Sequence, residues 1–173
     1  MPAMRTGADE AADPKYAHVE RERRWLVDPA ARPAVTDEGT LIEDRYIAGT
    51  RLRLRRMSRG GAMSLKLTKK YDAADLAARP IVTAYLTETE YALLAALPAD
   101  PVVKRRHAVG HAGATWSLDR FEDALAGLEL VEIETPDAAT LAALAPPAWA
   151  VREITHDPRY QGGTLAALGL PET

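Results

Sequence analysis

Charged side chains recur at every second position in several β-type segments of this chain. Alternate residues of a strand share one face, so each row predicts a strand with one charged face. A single row of this kind is usually a solvated sheet face, but here the basic and acidic rows fall on different segments. The rows are Glu20, Glu22 and Arg24; Arg51, Arg53 and Arg55; Lys66 and Lys70; Lys104 and Arg106; and Glu132 and Glu134.

These rows point to chemistry on a phosphate group if they face the inside of a closed sheet. Buried charges must be neutralised, and a polyanion would neutralise the Arg and Lys rows while a divalent cation would neutralise the Glu rows. Guanidinium groups match phosphate oxygens, and carboxylate oxygens match Mg²⁺. Phosphoryl transfer requires this combination of charge neutralisation, positioning and an activated water.

The elements that would carry these rows are about eight short strands and two or three short helices. This pattern favours a mainly β (α+β) fold, a barrel or sandwich, over an α/β sheet. Residues 1–15 are interpreted as a mobile tail and residues 16–173 as one domain. The strands are predicted at 18–27, 41–47, 51–57, 62–71, 81–86, 102–109, 115–121 and 128–135, and the helices at 30–35, from a capping box at 87–90, from Thr135 to Leu144, and at 163–168.

Composition excludes several classes of protein. The 173 residues contain no Cys, which rules out disulfides, thiolate metal sites and Cys nucleophiles. Of the 47% hydrophobic residues, many are Ala, which suits a barrel with a polar interior better than a solid apolar core. The net charge of −3 argues against a general nucleic-acid coat. The sequence contains neither an apolar run long enough for a membrane span nor a signal peptide, so we expect no membrane association and a cytoplasmic location.

Seven short motifs, in order along residues 16–166, resemble those of one known family. The first segment is similar to the signature Glu-x-Glu-x-Lys, and the last to Glu-Val-Thr-x-Asp-x-Arg-Tyr. The family is that of the CYTH domain, or triphosphate tunnel metalloenzymes. The matching segments are Glu20-Arg-Glu-Arg-Arg24, Thr50-Arg-Leu-Arg-Leu-Arg55, Met63-Ser-Leu-Lys66, Val103-Lys-Arg-Arg106, Trp116-Ser-Leu-Asp-Arg-Phe121, Leu130-Val-Glu-Ile-Glu134 and Glu153-Ile-Thr-His-Asp-Pro-Arg-Tyr160.

The resemblance implies an eight-stranded antiparallel β-barrel tunnel that binds a triphosphate with Mg²⁺ or Mn²⁺. It implies that Lys104 and Tyr46 lie near the attacking water, with Glu22 also in a catalytic role, and that the last helix plugs one end of the tunnel. By position, the metal ligands would be Glu20, Glu22, Glu132 and Glu134, with Asp119 supporting a second metal. By position, the phosphate-binding residues would be Arg24, Arg53, Arg55, Lys66, Lys70, Lys104, Arg106 and Arg159.

The chain departs from the family pattern in two places. Arg24 replaces the final Lys of the signature; it keeps phosphate binding but excludes a neutral-amine role, because Arg stays charged. The strand at 81–85 contains no carboxylate where the family often has Glu, which weakens a second metal site. Lys69 and Lys70 are further candidates for the hairpin Lys, with Lys66 preferred.

The leading hypothesis is a metal-dependent hydrolase of triphosphates, with inorganic tripolyphosphate favoured over ATP or thiamine triphosphate. The alternatives are a class IV-type adenylate cyclase, a thiamine triphosphatase, or a non-catalytic module that binds polyphosphate or nucleotides. Stable nucleic-acid binding is disfavoured, because the four Glu residues of the acidic rows would repel a phosphate backbone. We expect a monomer or a homodimer.

Overall fold

The structure of the chain is a computed structural model that describes residues 14–172. The predicted mobile tail lies almost entirely outside the described residues. Within them the chain forms nine strands and three α-helices. The strands are β1 (His18–Val27), β2 (Thr40–Ile47), β3 (Leu52–Arg59), β4 (Ala62–Lys70), β5 (Ala78–Tyr85), β6 (Ala99–His111), β7 (Ala114–Phe121), β8 (Glu129–Glu134) and β9 (Ala150–Glu153), and the helices are α1 (Glu88–Ala95), α2 (Ala138–Ala143) and α3 (Gly162–Leu168).

Strands β1 to β8 close into an antiparallel barrel. Their order is β5-β4-β3-β2-β6-β7-β8-β1, and β1 pairs with β5 to complete the ring. One edge of β1 pairs with β8; the other pairs with β5 through residues 18–21 and then with β9 through residues 25–27. The predicted eight-stranded barrel is therefore confirmed, with β9 as an additional strand that covers the part of β1 beyond β5.

The barrel packs its main apolar core on the outside of β1, β7 and β8. Along β8, Leu130, Glu132 and Glu134 line the interior, whereas Val131 and Ile133 belong to the outer cluster. This is the alternation expected of a strand with two different faces. The outer cluster lies under α2, and its buried members are Trp25, Val27, Trp116, Leu118, Val131, Ile133, Leu141 and Trp149. Burial of apolar area outside the barrel stabilises the fold while leaving the interior polar.

A second apolar cluster lies where α3 packs against the barrel. Val102 and Phe121 contribute from β6 and β7, and Leu165 from α3. Tyr160, at the end of a 3₁₀ turn over Pro158–Tyr160, joins them. The cluster fixes the C-terminal segment at one end of the barrel interior.

The helices differ in part from those predicted. The capping box of α1 is present, with Thr87 and Glu90 bonding each other's backbone N–H groups. Helix α2 begins at Ala138 with Asp137 as its N-cap, not at Thr135. The segment at 30–35 forms turns instead of a helix, since the Asp28 carboxylate accepts the N–H of Ala30 and Pro33 has no N–H to continue a helical ladder. Of the described helices, none is long and apolar enough to cross a membrane.

Candidate functional site

The inward faces of the eight barrel strands enclose a cavity of about 730 Å³ that is lined by charge of both signs. We refer to it as the barrel cavity. Because alternate residues of each strand point inward, nearly every charged row predicted from the sequence reaches it. The basic side chains lining it are Arg24, Arg51, Arg53, Arg55, Lys66, Lys70, Arg79, Lys104 and Arg106, and the acidic ones are Glu20, Glu22, Asp44, Asp72, Asp119, Glu132 and Glu134.

Four carboxylates occupy neighbouring positions on β1 and β8. Glu22 is the register partner of Glu134, and Arg24 that of Glu132. Burial raises the pKa of Glu134, and the charges of Glu20 and Glu22 raise it further. The like charges of Glu20 and Glu22 beside Glu134 indicate an excess of negative charge at this wall.

Basic side chains from other strands partly offset this excess. Lys70 bonds Glu20, and its Nζ lies 3.7 Å from Oε1 of Glu22. Burial acts to raise the pKa of Glu20, but the charge and hydrogen bond of Lys70, together with the charge of Arg53, outweigh it and the pKa is lowered. Arg106 bonds Glu132 in the same manner. The predicted metal ligands and phosphate ligands are thus in direct contact.

The carboxylate of Asp119 accepts hydrogen bonds from two basic side chains. Its Oδ1 accepts Nε of Arg106 at 2.7 Å, its Oδ2 accepts Nη2 of Arg106 at 2.7 Å, and its Oδ2 also accepts Nζ of Lys104 at 2.5 Å. Its side chain is only 1% exposed. Burial acts to raise the pKa of Asp119, but Lys104 and Arg106 outweigh it and keep the carboxylate ionised. In the structure Asp119 is therefore the counter-ion of two predicted phosphate ligands.

Lys104 and Tyr46 both line the cavity but not as neighbours in register. Lys104 pairs with Ile42 on β2, whereas Tyr46 pairs with Asp100 on β6. Four residues of strand separate the two positions, about 13 Å of rise. Burial lowers the pKa of Lys104, against the opposing effect of Asp119. Burial and the charge of Asp44 raise the pKa of Tyr46, so the phenol stays protonated at neutral pH.

The C-terminal segment lines one end of the cavity, as the sequence predicted for the last helix. The carbonyl of Tyr160 accepts a bond from Arg24 at 3.2 Å, and the side chain of Gln161 accepts one from Arg79 at 3.3 Å. Arg159 is different, because it does not line the cavity and instead bonds Asp157 in its own turn. The structure thus places Arg159, alone of the predicted phosphate ligands, outside the candidate site.

Contact between Gly162 and Tyr46 is close enough to require glycine. An ideal Cβ on Gly162 would lie 1.9 Å from the Tyr46 hydroxyl oxygen, whereas one on Gly163 would come no nearer than 3.5 Å to that ring. We expect Gly162→Ala to displace Tyr46 or α3 and to lower the free energy of unfolding by about 1–3 kcal/mol, measured by urea denaturation. The matched control Gly163→Ala should leave stability unchanged or raise it by up to about 1 kcal/mol. Equal losses in both variants would contradict this.

Sequence reasoning missed several cavity residues. Asp44 lies in the run Glu43-Asp-Arg45, where consecutive charges hide which residue faces inward. Arg79 lies just outside the strand predicted at 81–86, although in the structure it is already part of β5 and the partner of Glu20. Asp44 and Arg79 are recognised as cavity residues only from their cross-strand partners, and these are known only once the strand register is known.

Comparisons with known proteins agree with the barrel fold. No protein-family model matches the sequence. An inorganic triphosphatase from Acetivibrio thermocellus is 39% identical over 66 residues, which are 38% of this chain and 41% of that protein. This match thus spans less than half the length of that relative.

Solved structures resemble the chain over most of its length. The inorganic triphosphatase NE1496 superposes with a TM-score of 0.58 and 25% identity, over 88% of this chain and 97% of that one. A candidate adenylate cyclase from Bacillus halodurans, with a TM-score of 0.52 and 13% identity over 73% and 85% of the two chains, shares the fold.

Together these features define a class of protein: a closed antiparallel barrel whose interior carries opposed basic and acidic walls. In fold and in its similarity to two inorganic triphosphatases, the chain resembles the CYTH, or triphosphate tunnel metalloenzyme, family. The resemblance deduced from the seven motifs is confirmed.

Proposed function

We propose that this protein hydrolyses triphosphates, with inorganic tripolyphosphate favoured, in the barrel cavity. The observation that carries the proposal is that one cavity contains both a basic set suited to phosphate and a four-carboxylate wall suited to a cation. Two inorganic triphosphatases are among the similar proteins. Both the charge arrangement and these relatives support the same reaction class.

The acidic wall fits a divalent cation, Mg²⁺ or Mn²⁺. Carboxylate oxygens are the donors that such ions prefer, and the raised pKa of Glu134, caused by burial and then by the charges of Glu20 and Glu22, indicates a need for positive charge. Among the described residues, no three acidic or histidine side chains already converge as a ligand set. Two of the carboxylates, Glu20 and Glu132, are paired with Lys70 and Arg106. The residues that would hold the cation are Glu20, Glu22, Glu132 and Glu134.

Each set of residues has a distinct role in the proposed reaction. A cation held by these carboxylates would supply positive charge to stabilise the negative charge that develops on the phosphate oxygens. The basic side chains bind and orient the triphosphate, and the buried amine of Lys104 is the candidate to take a proton from the attacking water. The phosphate-binding side chains would be Arg24, Arg53, Arg55, Lys66, Lys70 and Arg106.

A substrate panel tests the proposal. Purified protein is incubated with Mg²⁺ or Mn²⁺ and with tripolyphosphate, ATP, thiamine triphosphate or pyrophosphate, while phosphate and cyclic AMP are both measured. We expect phosphate release to be fastest from tripolyphosphate and to stop when the metal is chelated. Formation of cyclic AMP from ATP would instead identify a cyclase, and tight triphosphate binding without turnover would identify a binding module. A cytoplasmic location and a monomeric or homodimeric state stay predictions.

A further inference from the structure

Asp44 is a buried carboxylate among the basic residues of the barrel cavity. It lies on β2 with a side chain only 2% exposed and lines the cavity. Its direct register partner on β3 is Arg55. A negative charge at this position repels an anionic substrate, so its presence among phosphate ligands calls for a compensating role.

The carboxylate of Asp44 holds one edge of the Arg55 guanidinium. Oδ1 accepts Nε of Arg55 at 2.6 Å, and Oδ2 accepts Nη2 at 2.7 Å. A guanidinium has five N–H groups in a rigid planar fork, so this bond pair leaves three of them for a further acceptor. Paired in this way, Arg55 is fixed in orientation as well as neutralised.

Arg55 lies among other cations of the cavity. Burial and the charge of Arg106 act to lower the pKa of Arg55, whereas the charge and hydrogen bonds of Asp44 raise it. Nε of Arg53 also lies 3.9 Å from Oδ1 of Asp44. One carboxylate thus sits between two arginines of the same strand and offsets their mutual repulsion.

The same arrangement occurs a second time in the cavity. Arg106 on β6 is the register partner of Asp119 on β7, and it donates from the same two nitrogens, Nε and Nη2, each at 2.7 Å. In both pairs an aspartate on the neighbouring strand accepts hydrogen bonds from Nε and Nη2 of an arginine. The repetition on different strands indicates a common device for orienting guanidinium groups.

We propose that Asp44 is a positioning residue that orients Arg55 toward a phosphate group of the bound triphosphate. This inference rests on the proposed function in that the ligand is a triphosphate. It assigns Asp44 neither to the metal nor to the reacting atoms.

Binding of tripolyphosphate measured by calorimetry, with metal chelated so that no turnover occurs, tests the inference. We expect Asp44→Asn to weaken binding by about tenfold, because one of the two bonds to Arg55 is lost. A purely electrostatic role predicts the opposite sign, since removing a negative charge from the cavity would tighten anion binding. The control is Glu43→Gln, the adjacent residue of β2, whose partner Arg56 is exposed; its Kd should match the wild type.

A second variant separates positioning from folding. Asp44→Glu keeps the charge but lengthens the side chain by one methylene, so it should also weaken binding while the protein stays folded. In an Arg55→Met background, Asp44→Asn should change the Kd by less than about twofold, because its effect passes through Arg55. An unchanged or lower Kd in folded Asp44→Asn or Asp44→Glu would overturn the inference, as would an undiminished effect in the Arg55→Met background.

The binding readout also distinguishes this inference from the proposed function. If wild-type protein binds tripolyphosphate without hydrolysing it, the proposed function fails, and the Kd ratios still decide the role of Asp44. If wild-type protein neither binds tripolyphosphate with metal chelated nor releases phosphate from it with Mg²⁺ or Mn²⁺, both are overturned. If it only releases phosphate with metal, the KM ratios of the same variants decide the role of Asp44.

Discussion

Replacing Glu22 by glutamine is expected to slow metal-dependent phosphate release from tripolyphosphate by about 10²–10³-fold. Glu22 lies directly across from Glu134, in the middle of the four-carboxylate wall. Glutamine keeps the shape of the side chain but removes one of the charges that would attract the cation. The same variant should therefore also bind Mn²⁺ more weakly, which electron paramagnetic resonance measures independently of turnover.

Glu43→Gln again provides a matched control for this prediction. Glu43 is a strand glutamate of the same size, bonded to exposed Arg56 at 2.6 Å, and it does not line the cavity. Its variant should hydrolyse tripolyphosphate at the wild-type rate. Wild-type activity and Mn²⁺ affinity in Glu22→Gln would remove Glu22 from the metal site.

The second large effect is expected at Lys104. If its amine takes a proton from the attacking water, Lys104→Arg should lower kcat by about 10²–10⁴-fold, since arginine keeps the positive charge but does not deprotonate. Binding of tripolyphosphate should change far less, because a cation remains beside Asp119. A kcat close to that of the wild type would show that Lys104 acts through its charge alone.

Arg105→Met is the control for Lys104. Arg105 is the next residue of β6, but its guanidinium bonds Glu122 and lies 40% exposed, and it does not line the cavity. A change in charge on the outer face of the same strand should leave kcat unaffected. A comparable loss in both variants would indicate disruption of β6 instead of a role in proton transfer.

The barrel was predictable because strand alternation is a local property. Each charged row occupies every second position, and β1 begins and ends where the sequence places it. The predicted cation-binding wall follows from the same rule, since Glu132 and Glu134 share one face of β8. Strand β9 was not predicted; it consists of only four residues and is defined by its pairing with distant β1.

Residues whose role depends on a partner in another strand were harder to predict from the sequence. Asp44 gains its role from Arg55, eleven residues away, and the sequence alone does not reveal the strand register that joins them. The position of Tyr46 shows the same limit. The family resemblance places Tyr46 near Lys104. In the structure, the register of β2 and β6 places it opposite Asp100, and its ring contacts Gly162.

The pairing of Lys70 with Glu20 and of Arg106 with Glu132 has a thermodynamic consequence for the order in which ions bind. A polyphosphate that draws Lys70 away leaves Glu20 charged and without its cation, and a metal at Glu20 leaves Lys70 without its anion. When one ion separates such a pair, the other ion can bind the side chain that is left unpaired. Each ion should therefore raise the affinity of the other by the same factor. We therefore expect the cavity to bind a metal–polyphosphate salt more tightly than either ion alone.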